Sequence, residues 1–235
     1  MHEHASARQA VETMIRSNDL EGLLQAAEAL HGHRCPMLAL GVKAGHYALT
    51  QLFPEGHIHG VTAVLEAANC FADGIQWVTG CTLGNGGLIL KDLGKTAVTV
   101  ARHDGAALRL VVRPDFRERL FSKYPTVQPL FDKVMLKGTA DHEERHRFQH
   151  MWSAMARREL DTPMEEHFLI KNVTISAPHG RHRPPGVVCR GCGEGVTESR
   201  IRVKDGQPFC LACAGDSFYI LTGEGISRAP GMEHL

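Results

Sequence analysis

Apolar residues recur at helical spacing through the first fifty positions. Ala10, Val11, Met14 and Ile15 share one face, which predicts a helix over residues 6–17. A second helix is expected from Leu20 to about Leu30, carried by Leu23, Leu24, Ala27 and Leu30, with Asn18 or Asp19 as cap. It stops at Gly32. A third opens at Cys35-Pro36, where proline suits a first helical turn, and Met37, Leu38, Leu40, Val42, Ala44, Ala48, Leu49 and Leu52 make it largely buried. Gly41 and Gly45 lie four apart on it, a spacing that lets another element approach closely.

The period then changes. Pro54-Glu55-Gly56 is a turn, and Ile58 to Glu66 alternates as a strand does. Asn69 and Cys70 open a short helix, Phe71 to about Val78, that ends at Gly80. A glycine-rich loop, 81–87, follows. Leu88–Leu90, Thr96–Arg102 and Ala107–Arg113 read as strands, the last two joined through His103-Asp104-Gly105. Pro114–Tyr124 and Val127–Lys137 look helical, Thr139 caps a long helix over Ala140–Leu160, and Phe168–Ser176 is a further strand. Residues 58–113 thus form a sheet with helices before and after it, an α+β domain of N-terminal helices packed on a mainly antiparallel sheet. The proline-rich, basic stretch 177–186 marks a boundary. The expected division is a domain over 1–178, a linker over 179–186 and a small domain over 187–235.

Composition narrows the classes. Of 235 residues, 43% are hydrophobic and 22% charged, enough apolar material for a packed core. Lys plus Arg equals Asp plus Glu, 26 each, so no net field draws the chain to nucleic acid or membrane. No apolar run nears the ~20 residues of a membrane span. The start, Met1-His2-Glu3-His4-Ala5-Ser6, lacks a signal-peptide pattern, so a soluble cytoplasmic protein is expected. Seven cysteines without an export signal point to metal binding rather than disulfides.

The clearest chemistry is C-terminal. Cys189-x2-Cys192, seventeen residues, then Cys210-x2-Cys213 has the spacing of a four-cysteine structural zinc site. Glycine and alanine beside each pair suit tight knuckles with backbone N–H groups on the sulfurs. Val196 to Phe209 between them reads as a hairpin turning at Asp205-Gly206. About fifty residues hold too little core to fold alone, so zinc is expected to supply much of the stability.

A second cluster is N-terminal: His31-Gly32-His33-Arg34-Cys35-Pro36, three potential ligands in five residues, with Cys70 at the start of another helix. Two helix N-termini that converge, each presenting a cysteine, would favour thiolates and a divalent metal. Composition alone leaves this level with the plainer reading, in which Cys35, Cys70 and Cys81 are buried apolar residues and the histidines cap helix ends. His142-Glu143-Glu144-Arg145-His146 matches the zinc-protease pattern His-Glu-x-x-His, but its polar flanks favour a solvated charged face. The loop Gly84-Asn85-Gly86-Gly87 completes no phosphate-binding pattern.

Together, His31-Gly32-His33-Arg34-Cys35-Pro36, the Gly-x-x-x-Gly helix, and Cys70-x-x-Asp73-x-Ile75-Gln76-x-x-Thr79-Gly80-Cys81-Thr82-x-Gly84-x-Gly86 resemble the FmdE family, whose members are similar to a component of formylmethanofuran dehydrogenase. The likeness runs on through Asp92-x-Gly94-Lys95 to the C-terminal cysteine pairs. It implies an α+β domain with a metal near the two cysteine motifs, a treble-clef-like zinc domain, and a homodimer. Met37 and Asn85 depart from the pattern, where glycine and lysine are usual.

Two functions follow. The first is a metal-binding accessory protein, its N-terminal site built from His33, Cys35 and Cys70 with His31 or Cys81 as further ligands, holding zinc or a similar divalent metal. Asp73 and Gln76 would support the ligands. The family name points to a molybdenum- or tungsten-enzyme partner. The second is a metal-dependent enzyme with an open coordination position and Asp73 or Glu66 as acid or base.

Overall fold

A computed structural model describes residues 6–176 and 185–230. The chain divides into two compact units, one running to Ala177 and one from Pro178. The expected linker, 179–186, lies outside the described residues as far as position 184.

Three helices open the first unit. Helix α1 (Ala7–Arg16) starts at a capping box between Ser6 and Gln9. Helix α2 (Leu20–His31) is capped by Asp19, which accepts from the Gly22 N–H, and stops where Gly32 turns to φ 88°. Helix α3 (Pro36–Leu52) has Cys35 as N-cap and is buried over most of its length. Strand β1 (Thr62–Leu65), helix α4 (Cys70–Thr79) and strands β2 (Leu88–Leu90), β3 (Ala97–Ala101) and β4 (Ala106–Val112) follow. Then come α5 (Phe116–Lys123), α6 (Gln128–Phe131) leading into a π-helical stretch (Asp132–Lys137), α7 (His142–Leu160), α8 (Met164–His167) and β5 (Phe168–Thr174).

The five strands lie in the order β2-β1-β3-β4-β5. Only β1 and β2 run parallel, with α4 as their crossover; the other neighbours are antiparallel. Ala63, Leu65, Val98, Val100, Leu108 and Leu110 share the core with the apolar residues of α3. The chain is thus α+β with a mainly antiparallel sheet.

Three boundaries differ from the sequence expectation, each for a local reason. The strand expected over 58–66 pairs only from Thr62, because Gly60 at φ 63° breaks the extended run. The long helix is capped by Asp141, not Thr139, since Asp141 and Glu144 form a reciprocal capping box. The helix expected over 127–137 passes into a π-helical stretch at Asp132.

Helices α3 and α4 run side by side in the same direction, backbone on backbone. A methyl on Gly41 would lie 2.2 Å from the Phe71 carbonyl oxygen, and one on Gly74 would lie 2.6 Å from that of Leu38. Neither position has room for a larger residue without moving backbone. The contact brings the two helix starts, Cys35 and Cys70, together.

Two residues past Gly41, Lys43 is buried in α3. Its ammonium has three hydrogens and three acceptors: the carbonyls of Glu159 (2.9 Å) and Thr162, and His167 Nδ1 (3.3 Å). His167 Nε2 in turn donates to Glu159 Oε2 at 2.8 Å, and Glu159 Oε1 accepts from Lys123 and Tyr124. Every polar group in this buried network is paired, which fastens α3 to the end of α7 and the start of β5. Burial chiefly, and the Lys43 charge, hold His167 below the usual imidazole range. Burial alone would raise Glu159, but its bonds to His167 and Lys123 hold it at about 2.

The second unit contains β6 (Gly186–Val188), β7 (Gly195–Thr197), a 3-10 turn (Glu198–Arg200), β8 (Ile201–Lys204), β9 (Gln207–Cys210), β10 (Phe218–Thr222) and β11 (Gly225–Ala229). They form three two-stranded antiparallel sheets. Asp205 and Gly206, at φ 51° and 74°, turn the β8–β9 hairpin. Most of its side chains are exposed, whereas Cys189 is buried.

Two outcomes are expected. Gly41→Ala should cost roughly 3 kcal/mol in urea unfolding despite alanine's better helix propensity. Gly45→Ala should cost about 1 kcal/mol at most, because its neighbour at 3.1 Å is the Val78 side chain rather than backbone. Equal losses would remove the backbone crossing from the account. Secondly, stability should fall on the acid side. The unfolded chain takes up a proton at His167 as pH drops below 6.5, where the folded protein does not. Glu159 adds a loss as pH falls from 4.5 toward about 2. Calorimetry across pH 7 to 3 checks this, and Glu159→Gln should flatten the lower part of the profile.

Candidate metal centre

His31, Cys35 and Cys70 come from three helices. His31 is the last residue of α2, exposed to the cluster because Gly32 ends the helix there. Cys35 caps α3, its Sγ accepting the Leu38 N–H at 3.3 Å. Cys70 is the first residue of α4. The imidazole nitrogen and the two sulfurs lie within 4.8 Å of one another, a set of donors that could hold a metal ion.

The ring of His31 is oriented from behind. Asp73, one turn along α4 from Cys70, sits 2.8 Å from His31 Nδ1 through Oδ2 and accepts from Gln76 Nε2 at 3.0 Å through Oδ1. A carboxylate can only accept, so Nδ1 carries the hydrogen. The Nε2 lone pair then faces Cys35 Sγ, 3.9 Å away. This carboxylate–histidine pairing is the usual support of a metal-ligating imidazole.

The sulfurs share a proton. Cys70 is pulled down to about 6, mainly because the Cys35 thiol bonds to it; burial opposes the shift and the His31 and His33 charges add to it. Cys35 is pushed up by the same bond and by burial. Two sulfurs and an imidazole that already stabilise one thiolate suit a soft or borderline divalent cation, which would take the place of the proton.

Other candidates fall elsewhere. His33 lies beside His31, ring centroids 4.5 Å apart, outside the group of three. The buried Cys81 thiol donates to the Val61 carbonyl at 3.4 Å, and burial raises its pKa. Glu66 is clamped by Arg109, whose Nε and Nη2 each reach a carboxylate oxygen at 2.7 Å. The Arg109 bond chiefly holds Glu66 below the usual carboxylate range, so it is a poor general base. Asn85 organises the glycine loop: its Oδ1 accepts from the Thr82 and Gly87 N–H groups and its Nδ2 donates to the Gly80 carbonyl. His142, Glu143 and His146 are exposed on α7, where Glu144 pairs with Lys133.

In the second unit Cys189, Cys192, Cys210 and Cys213 bring four sulfurs within 4.8 Å. Backbone N–H groups point at them: Cys210 N lies 3.2 Å from Cys189 Sγ, and Cys213 N lies 3.3 Å from Cys210 Sγ. Backbone N–H groups, first that of Cys192, pull Cys189 down to about 6. Cys213 is pushed up to about 12, chiefly by its bond to Cys210. A methyl on Gly191 would lie 2.9 Å from Cys213 Cβ, so the knuckle closes only around glycine. Four clustered cysteines fit a closed tetrahedral zinc site.

The buried Lys43–Glu159–His167 network escaped the sequence reading. Its signal was a lone lysine at position 43 in an otherwise apolar helix.

Comparisons with known proteins agree with this geometry. The fold is that of a solved FmdE-like protein of tungsten formylmethanofuran dehydrogenase from Syntrophus aciditrophicus, with TM-score 0.54 and 20% identity over 83% of this chain and 92% of that one. The family profile described as FmdE, molybdenum formylmethanofuran dehydrogenase operon, matches residues 30–169, and this chain belongs to that family. The profile of the prokaryotic dksA/traR C4-type zinc finger matches residues 184–217. A probable S-adenosyl-L-methionine-binding protein of Archaeoglobus fulgidus is 36% identical over 218 residues, which is 90% of this chain. The match spans 57% of that relative's length. No helix among the described residues is long and apolar enough to cross a membrane.

Purified protein should carry zinc at the four-cysteine cluster, and Cys210→Ser should lose one equivalent by plasma emission analysis. Full zinc retention in both Cys189→Ser and Cys210→Ser would exclude the cluster as its site.

Proposed function

We propose that the chain is a metal-binding accessory protein with two different metal sites. The four-cysteine cluster is structural. The N-terminal centre holds a second divalent metal, zinc or a similar ion, through His31, Cys35 and Cys70, with His33 as the nearest further donor. The observation that carries this reading is the group of three donors within 4.8 Å, with His31 held in its ligating orientation by Asp73. Three protein ligands leave a coordination position for an exchangeable partner or ligand.

The family description and the name of the solved relative support a role beside a molybdenum or tungsten enzyme. A cytoplasmic homodimer belongs to the same reading, and light scattering on the purified protein tests the dimer. The enzyme reading is weaker, because Asp73 is occupied by His31 and Gln76 and Glu66 by Arg109. The name of the Archaeoglobus relative favours a small-molecule ligand, and equilibrium dialysis with S-adenosyl-L-methionine tests that ligand directly.

Metal analysis of the variants decides the central claim. Wild type should hold two equivalents, and Cys35→Ser and Cys70→Ser one each. Cys81→Ser should keep both. Asp73→Asn should weaken the second metal about ten- to a hundredfold. Two equivalents in Cys35→Ser and Cys70→Ser would defeat the assignment.

A further inference from the structure

A cavity of 300 Å³ opens beside α4, lined by Arg8, Val11, Leu30, Gln76, Trp77 and Thr82 among others. Its exposed lining is almost entirely carbon. Leu30, 52% exposed, presents its side chain at the surface rather than to the core. Gln76 joins this cavity to the metal centre, since its amide donates to Asp73, which holds His31.

Two donors of the lining residues have no acceptor. The Arg8 guanidinium gives Nε to Glu12 at 3.1 Å and Nη1 to the Val78 carbonyl at 2.7 Å, leaving Nη2 without a partner. The Trp77 indole N–H is also unpaired. Four buried side-chain nitrogens lack partners among the described residues, and two of the four belong to this lining. Such a group is costly to leave unmet, and the cost is recovered when an acceptor arrives. Both lie shielded from water, where a charge-assisted bond is strongest.

We propose that the cavity is a binding site for a small organic acid. An alkyl or aryl body lies against Val11, Leu30 and Trp77, and the carboxylate meets Arg8 and the indole N–H. A carboxylate is preferred over a neutral head because both free groups donate and one of them is cationic. The volume sits at the small end of ligand pockets, about 300–1,000 Å³, which limits the body to a single ring or short chain. The proposal stands on the cavity and its unpaired donors, not on the metal assignment.

The test uses tryptophan fluorescence. The chain has two tryptophans, so Trp152→Phe leaves Trp77 as sole reporter. In that background 4-phenylbutyrate should give a saturable change at least tenfold tighter than 4-phenyl-1-butanol. Arg8→Met should abolish the preference while alcohol binding persists. Leu30→Glu, a change at an exposed position, should weaken the acid at least tenfold. Cys35→Ser should bind the acid as wild type does, which keeps this outcome separate from that of the metal. Equal binding of acid and alcohol, no saturation with either, or a preference that survives Arg8→Met or Leu30→Glu would overturn the proposal.

Discussion

The close contact of α3 and α4 governs the first unit. Where Gly41 meets Phe71 and Gly74 meets Leu38, no side chain separates the helices. Everything at their N-terminal ends is placed by that contact. A wider spacing would move Cys35 away from Cys70 by the same amount, and no rotamer of so short a side chain could recover it. Metal–sulfur bonds are about 2.3 Å long, so the site tolerates little such error. The glycines and the cysteines are therefore one device, a cysteine at each helix start and a glycine one or two turns behind it.

That device is anchored from the far side. Lys43 follows Gly41 by two residues, and its three acceptors come from the end of α7, the turn after it and the residue before β5. A charged group is costly to bury, but a fully paired one resists displacement, since moving any member strands the others. Helix α3 is thus held along one side by backbone contact with α4 and along another by an ionic clamp. The imidazole of His31 is fixed differently, by Asp73 and Gln76 on the helix that supplies Cys70. One helix positions both a ligand and the carboxylate behind another ligand.

Much of this was legible in the sequence, and the limits have physical causes. Helix starts and stops were legible because Asp19, Cys35-Pro36, Gly32 and Gly80 act on their own neighbours. The four-cysteine spacing was legible because a tetrahedral site demands paired knuckles. The Gly41 spacing announced a close approach, but not to what, since its partner Gly74 lies on a helix beyond a strand and two turns. The convergence of His31, Cys35 and Cys70, and the separation of Cys81, are set by helix packing that no local pattern encodes. The clamp was illegible for the same reason: Lys43 and His167 are 124 residues apart. Where local chemistry competes with pattern, chemistry prevails, as Gly60 shows by ending an otherwise acceptable strand.

The two clusters stand in opposite relations to the fold around them. In the first unit an extensive apolar core of helices and sheet sets the positions of the three donors, and the pairing of Cys35 with Cys70 satisfies them without a metal. Such a site is built before it is filled, so a metal can come and go at little structural cost. In the second unit three small hairpins expose most of their side chains, and the best buried residue of the knuckle is a cysteine. There the order is reversed: four sulfurs drawn to one point, around a glycine that leaves them room, do the work a core would do. A chain that carries both kinds of site can exchange metal at one without losing its structure at the other. That independence is what separates a working centre from a structural one.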